Sequence, residues 1–142
     1  MEDPSPIGRC GRFNLLERIG QGGVGEIFRA RAAGAGGRQV AVKRLLPDAE
    51  ADDTFVEMFI DEARIASRLG HRNIARIYEF GEHDGAYFLA MEWVDGASVH
   101  ELVRAMDKVD QKLDVVLATR IAASVAGALD YAHSLRGLDG KP

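Results

Sequence analysis

The chain has 142 residues, of which 46% are apolar and 28% are charged, a composition typical of a folded protein. Its net charge of −4 argues against a nucleic-acid partner, because phosphate binding requires clustered positive charge. The single cysteine, Cys10, excludes an internal disulfide and favours a reducing compartment. The first residues, MEDPSPIGRC, do not resemble a signal peptide, and no apolar stretch of about 18 residues predicts a membrane segment. We therefore expect a cytoplasmic protein.

The first half of the chain predicts a small antiparallel sheet. Residues 1–12 contain several prolines and glycines and are expected to form an irregular lead-in. Three strands are predicted after it, at Phe13–Ile19, Glu26–Arg31 and Gln39–Lys43. Because short, glycine-rich connections join these strands, an antiparallel meander is the expected arrangement.

A helix is predicted after the third strand. Asp52 and Asp53 place negative charge at its amino end, and Thr54 with Glu57 matches a capping box. Gly70 is the expected stop. The apolar residues recur at helical spacing, at Phe55, Phe59, Ala63, Ala66 and Leu69.

Two further strands are predicted, at Ile74–Phe80 and Ala86–Val94, with a turn between them. After Asp95 the signals for strands cease, and helices are predicted at Ser98–Met106 and from Asp114 to near Leu135.

The change in pattern at Asp95 predicts a boundary between two parts. Residues 13–94 would form a sheet with one inserted helix, and residues 95–142 would be helical.

Three glycines, Gly20, Gly22 and Gly25, match the pattern G-x-G-x-x-G at the first strand connection. Glycines allow backbone amides to approach phosphate oxygens closely. A dinucleotide-binding fold would need a helix after them, but Glu26–Arg31 has the character of a strand. No Gly-Lys-Ser/Thr follows, which excludes a P-loop. A glycine-rich flap at a hairpin tip remains, with an unstructured flexible turn as the alternative.

Lys43 and Glu62 are a candidate ion pair beside this flap. Lys43 ends a predicted strand, where a meander would bring its ammonium under the glycines. Glu62 borders the apolar face of the predicted helix, and a carboxylate in that position is unusual unless it is paired. The alternatives are a solvated strand end for Lys43 and weak exposed pairs between Glu62 and Arg64 or Arg68.

Five segments in this order resemble the amino-terminal half of a eukaryotic-type serine/threonine protein kinase domain, most closely a bacterial one. They are GQGGVGEI, VAVK, the stretch from Glu62 to Ile74 that ends in LGHRNI, FLAMEWV and ALDYAHS. The resemblance implies an α+β fold. It would consist of a kinase-like N-lobe, with a five-stranded antiparallel sheet and one helix, and the first helices of a helical C-lobe.

The resemblance also implies ATP as the ligand and assigns its contacts. Lys43 would contact the α- and β-phosphates and Glu62 would hold Lys43, which makes these two the catalytic candidates. Gly20, Gly22 and Gly25 of the glycine loop would cradle the phosphates. Ile27 and Ala41 would pack on adenine, and Met91 would be the gatekeeper of its pocket. The backbone groups of Glu92 and Val94 would bond the adenine.

The sequence contains no H-R-D, D-F-G or A-P-E segment. In the family these segments supply the base, the Mg²⁺ ligands and the peptide-binding segment, so we expect this chain alone to be inactive. The alternatives are a non-catalytic nucleotide-binding or interaction module and a gene remnant or incompletely recorded sequence. The protein substrate is not identified.

Two expectations concern other partners. The four histidines and Cys10 are too widely spaced for a local metal site. The last predicted helix carries an apolar stripe without a partner, which predicts self-association or aggregation through this face. The stripe consists of Leu117, Ile121, Val125 and Leu129.

Overall fold

A computed structural model of the chain describes residues 5–34 and 37–135. The chain forms two compact units, one of Met1–Gly70 with Ala75–Trp93 and the other of His71–Ile74 with Val94–Pro142. The assignment of residues 13–94 and 95–142 as lobes stays a prediction, and residues 1–4 and 136–142 lie outside the described residues.

The first unit is built on an antiparallel sheet of six strands in the order β1-β2-β3-β4-β6-β5. The strands are β1 (Gly8–Cys10), β2 (Phe13–Gln21), β3 (Gly25–Ala32), β4 (Gln39–Leu45), β5 (Ile77–His83) and β6 (Ala86–Glu92). Two helices, α1 (Pro47–Glu50) and α2 (Asp53–Ala66), lie between β4 and β5 in the sequence. All five predicted strands are present, and the meander of β2, β3 and β4 is confirmed.

The expectation of an irregular lead-in is wrong for Gly8–Cys10, which form the edge strand β1. The chain reverses at Gly11, whose φ of 53° suits a glycine, and Cys10 then pairs with Phe13. Cys10 is buried, so this strand covers part of the core. A three-residue strand is too short to leave an alternating pattern in the sequence.

One face of the sheet encloses the main apolar core. Phe13 of β2 and Phe88 of β6 meet edge to face at 6.2 Å, although two strands separate them in the sheet. The sheet must therefore curl around its core, and an ion pair of 2.8 Å between Arg12 and Glu79 joins the same two regions. The core consists of Cys10, Phe13, Leu15, Phe28, Ala30, Val40, Val42, Phe88 and Ala90.

The opposite face of the sheet packs against the helices. Leu45 and Leu89 of the sheet form a second core cluster with Ala49 of α1 and Phe59 and Ala63 of α2. Phe59 and Ala63 are four residues apart and share one face of the helix. This packing fixes which side of α2 faces the sheet.

The predicted ends of α2 need correction. The Asp52 carboxylate accepts the Thr54 N–H at 2.9 Å, so Asp52 is the N-cap and the capping box of Thr54 and Glu57 is wrong. The helix ends at Ala66, before Gly70, and the Ser67 hydroxyl donates to the Arg64 carbonyl at 2.9 Å.

The start of the fourth predicted strand also needs correction. β5 begins at Ile77, because Ile74 lies in a turn in which its N–H donates to the His71 carbonyl at 3.0 Å.

The second unit contains α3 (Val99–Asp107) and α4 (Val115–Ser134). Ser98 and Glu101 form a reciprocal capping box at α3. Asp114 caps α4 as predicted, since its carboxylate accepts the N–H groups of Val116 and Leu117.

Much of the apolar stripe of α4 is exposed. Leu117, Val125 and Leu129 are about half exposed, which agrees with the expectation of an uncovered face, and self-association through it stays a prediction. By length and composition alone α4 could also cross a membrane, a property that it shares with core helices of other proteins. The predicted absence of a membrane segment therefore also stays a prediction.

Candidate functional site

Strand register brings several predicted site residues to one face of the sheet. Lys43 pairs with Ile27 on one side and with Leu89 on the other, and Ile27 also pairs with Gly20. Directly paired residues of antiparallel strands share a face, so these four positions form one row across β2, β3, β4 and β6.

A second row lies two residues along β4, on the same face. Ala41 pairs with Met91 of β6. Ala41 is buried and Met91 is partly buried, whereas Ile27 of the first row is 36% exposed. The face thus presents a small apolar floor next to the Lys43 ammonium.

Lys43 and Glu62 form a close ion pair. The Lys43 Nζ lies 2.7 Å from Glu62 Oε1 and 2.6 Å from Oε2, so the ammonium donates to both carboxylate oxygens. The same Nζ lies 5.5 Å from the centre of the Phe59 ring. Lys43 remains 22% exposed at its side chain, which leaves donor capacity for another partner.

The packing of α2 explains why Glu62 reaches Lys43. Phe59 and Ala63 are buried against the sheet, and Glu62 lies beside them on the helix surface. The alternative prediction for Glu62 was an exposed ion pair with Arg64. Arg64 instead pairs with Asp61 at 2.9 Å.

The three glycines lie at the β2–β3 connection, and only Gly25 of the three has a neighbouring backbone atom close to where a side chain would begin. A Cβ on Gly25 would lie 3.0 Å from the backbone oxygen of Arg44, so a side chain there would press on β4. Gly20 and Gly22 meet no comparable contact, and none of the three has a positive φ. The Gly22 N–H donates to the Gly25 carbonyl at 2.8 Å, which closes a tight hairpin.

The two predicted backbone contacts of adenine lie at the end of β6 and beyond it. The Glu92 N–H donates to the Arg76 carbonyl at 2.8 Å, and the Glu92 carboxylate accepts the Arg76 N–H at 3.1 Å. Because the Glu92 N–H already donates to the Arg76 carbonyl, an adenine contact at this residue would have to use the Glu92 carbonyl oxygen. Val94 belongs to the second unit, and the residue is 69% exposed.

Sequence reasoning missed Glu26, the buried charged residue of the described part of the chain. It is only 8% exposed, and its carboxylate oxygens pair with Arg18 Nη1 and Arg44 Nη2, each at 3.0 Å. The available signal was an acidic residue in a strand between two strands that each carry an arginine. Without the register, that signal does not distinguish a buried cluster from exposed pairs.

The pKa of Glu26 reflects these contacts. Burial alone would raise the pKa of this carboxyl group, because it disfavours the charged form. The hydrogen bonds and charges of Arg18 and Arg44 together outweigh burial and leave the pKa of Glu26 below its ordinary value. Glu26 is therefore ionised in the folded protein throughout the neutral range.

This lowered pKa predicts how stability depends on pH. In the unfolded chain Glu26 takes up a proton near its ordinary pKa, whereas the folded chain does so only at lower pH. The stabilisation is therefore fully present above the ordinary pKa and is lost as pH falls through the lowered one. We expect the difference in free energy of unfolding between the wild type and Glu26→Gln to shrink between about pH 7 and pH 3, as measured by urea denaturation. A difference that is constant over this range would contradict the assignment.

Comparisons with known proteins agree with this geometry. The family model described as protein kinase domain matches residues 13–137. The tyrosine-protein kinase MasK of Myxococcus xanthus is 35% identical over 134 residues, which are 93% of this chain and 21% of MasK. The serine/threonine-protein kinase PknF of Mycobacterium tuberculosis is 37% identical over 132 residues, which are 92% of this chain and 27% of PknF.

A solved structure matches as well. The crystal structure of the PknI kinase domain of Mycobacterium tuberculosis aligns with a TM-score of 0.70 and 32% identity, over 91% of this chain and 50% of that one. The chain therefore spans about half of a solved kinase domain and at most 27% of these curated relatives. With the family model matching residues 13–137, the chain belongs to the protein kinase domain family, of which it carries the amino-terminal portion.

Proposed function

We propose that the first unit binds ATP on the face that carries Lys43. The observation that carries this proposal is the Lys43–Glu62 ion pair, which lies beside an apolar floor and below a glycine-rich hairpin. A partly exposed ammonium suits phosphate oxygens, and small apolar side chains suit a purine ring. The residues present therefore fit this ligand.

Each residue has a distinct role in the proposal. Lys43 donates to the α- and β-phosphates, and Glu62 holds the ammonium in place. Ile27 and Ala41 pack on adenine, and Met91 limits the depth of its pocket. Gly20, Gly22 and Gly25 cover the phosphates with backbone N–H groups, and Glu92 contacts the adenine through its carbonyl oxygen. The adenine contact at Val94, a residue of the second unit, stays a prediction.

Membership of the kinase family supports a further proposal, that the ATP bound here serves phosphoryl transfer to a protein hydroxyl group. PknF is named a serine/threonine-protein kinase and MasK a tyrosine-protein kinase. We propose serine or threonine as the acceptor residue.

The family's Mg²⁺ ligands have no counterpart in the sequence, so Mg²⁺ binding is not assigned to any residue here. We place the protein in the cytoplasm, since Cys10 is a free thiol.

A second candidate function is nucleotide binding without chemistry. The observation that favours it is the formed Lys43–Glu62 pair, which can hold a nucleotide without any further catalytic group. Positioning and charge stabilisation provide nearly all catalysis of phosphoryl transfer, so a chain without the base and metal ligands should bind ATP yet transfer no phosphate.

ATP titration tests the proposal directly. We expect saturable binding of ATP to the purified chain by calorimetry, and weaker binding of adenosine, which lacks the groups that Lys43 contacts. Absence of saturable ATP binding by a chain whose circular dichroism shows a folded sheet would refute the assigned site. In a radiolabel assay with Mg²⁺ and a generic protein acceptor we expect no transfer above background from these 142 residues alone, because they carry no H-R-D or D-F-G segment. Transfer by the wild-type chain would exclude the function without chemistry.

A further inference from the structure

Glu26 occupies an unusual position for a buried acid. It directly follows Gly25, the last glycine of the hairpin, and it directly precedes Ile27 of the candidate ATP-binding face. Successive strand residues point to opposite faces, so the Glu26 side chain lies on the face away from Ile27 and Lys43. Glu26 therefore does not touch the proposed nucleotide.

The partners of Glu26 come from both neighbouring strands. Arg18 belongs to β2 and Arg44 to β4, and each guanidinium binds a different oxygen of the carboxylate at 3.0 Å. Arg44 is fixed further by its contact with Phe28, whose ring centre lies 5.2 Å from the guanidinium carbon. A buried carboxylate is tolerated only when it is paired, so these three side chains form one unit, here called the Glu26 clamp.

The Glu26 clamp lies at the base of the hairpin. Glu26 pairs with Arg44 in the register, between the pairs Gly25 with Leu45 and Ile27 with Lys43. Beyond the clamp, the tip is joined to the end of β4 by the Leu46 N–H, which donates to the Val24 carbonyl at 2.9 Å. On the β2 side the pairing shifts between Arg18 and Gly20, so regular pairing is interrupted where Arg18 binds Glu26.

We propose that Glu26 is a positioning residue, which holds the glycine-rich hairpin at a fixed height over Lys43 by linking β2, β3 and β4 at the hairpin base. The inference rests on the proposed ATP site. With the clamp intact, the hairpin N–H groups and the Lys43 ammonium are already directed at the same phosphates. The hairpin therefore loses little conformational entropy when ATP binds, and this favours binding. The lowered pKa of Glu26 keeps the clamp ionised at neutral pH.

The test compares Glu26→Gln with Glu17→Gln in the wild-type background. Glutamine keeps the shape of Glu26 but removes the charge that joins the two arginines. Glu17 is the matched control, because it lies in the same sheet and pairs with Arg29 at 3.3 Å but is 60% exposed. We expect Glu26→Gln to weaken ATP binding about fivefold or more and to change adenosine binding less than about twofold, with little change in either for Glu17→Gln.

Hydrogen exchange gives a second readout that does not depend on nucleotide. We expect faster exchange at the Gly22 and Leu46 amides in Glu26→Gln, with β5 and β6 unchanged. Equal loss of ATP and adenosine affinity, or hairpin exchange equal to that of the wild type, would overturn the positioning role. A wild-type chain that does not bind ATP, together with faster hairpin exchange in the variant, would refute the ATP site while supporting the clamp.

Discussion

Replacement of Lys43 by methionine is expected to weaken ATP binding roughly 10- to 150-fold, the loss that follows removal of hydrogen bonds to a charged group. Methionine retains most of the length and apolar stem of lysine but has no donor for phosphate oxygens. Its former partner Glu62 is 49% exposed at its side chain, so water can solvate the carboxylate and the fold should persist. Calorimetric titration of both chains with ATP measures the effect.

The matched control for this variant is Lys112→Met. Lys112 is an exposed lysine of the second unit, and its replacement removes the same charge from the protein. We expect the control to bind ATP like the wild type, since long-range attraction is screened by salt. Equal dissociation constants for Lys43→Met and the wild type would exclude Lys43 from the site.

Replacement of Phe88 by alanine should cause the largest loss of stability. Phe88 is 1% exposed, contacts Phe13 edge to face and lies where the curled sheet closes on its core. Large-to-small substitutions of this kind lower the free energy of unfolding by about 3–5 kcal/mol, a large part of the total for a domain. Urea denaturation followed by circular dichroism measures this free energy.

Phe55→Ala is the matched control for the core variant. Phe55 lies on α2 and is 38% exposed, so the same atoms are removed from a site that is less buried. We expect a loss well below that of Phe88→Ala, since part of the Phe55 ring is already in contact with water. Similar losses for the two variants would mean that the core does not depend on closure of the sheet at Phe88.

Much of the first unit could be predicted from local patterns. The alternation of Phe28 and Ala30 with arginines in β3, the apolar run Val40–Val42 in β4 and the helical spacing of Phe59 and Ala63 reflect burial that is recorded in the sequence itself. The short strand β1 was missed, since Gly8–Cys10 is stabilised by pairing with β2 rather than by its own composition. The early end of α2 was missed because Gly70 is a stronger local signal than Ser67.

The candidate site, like the fold, could be predicted from the sequence only in part. Lys43 and Glu62 were predicted to pair from their residue types and from the family resemblance, and their side chains do meet. Glu26 was not singled out, because its burial depends on the register of β2 and β4, which brings Arg18 and Arg44 to it from different parts of the chain. Cross-strand contacts of this kind cannot be inferred from periodicity alone.

The alternation of charge across β3 and β4 has a consequence for folding. If β4 shifted by one residue against its neighbours, each of its side chains would move to the other face of the sheet. In the shift that puts Lys43 in the place of Val42, the ammonium would enter the apolar interior that Val42 and Phe88 now occupy. That misregistered sheet would carry a buried charge away from its partner Glu62, so the lysine proposed to bind nucleotide also helps to disfavour this strand pairing.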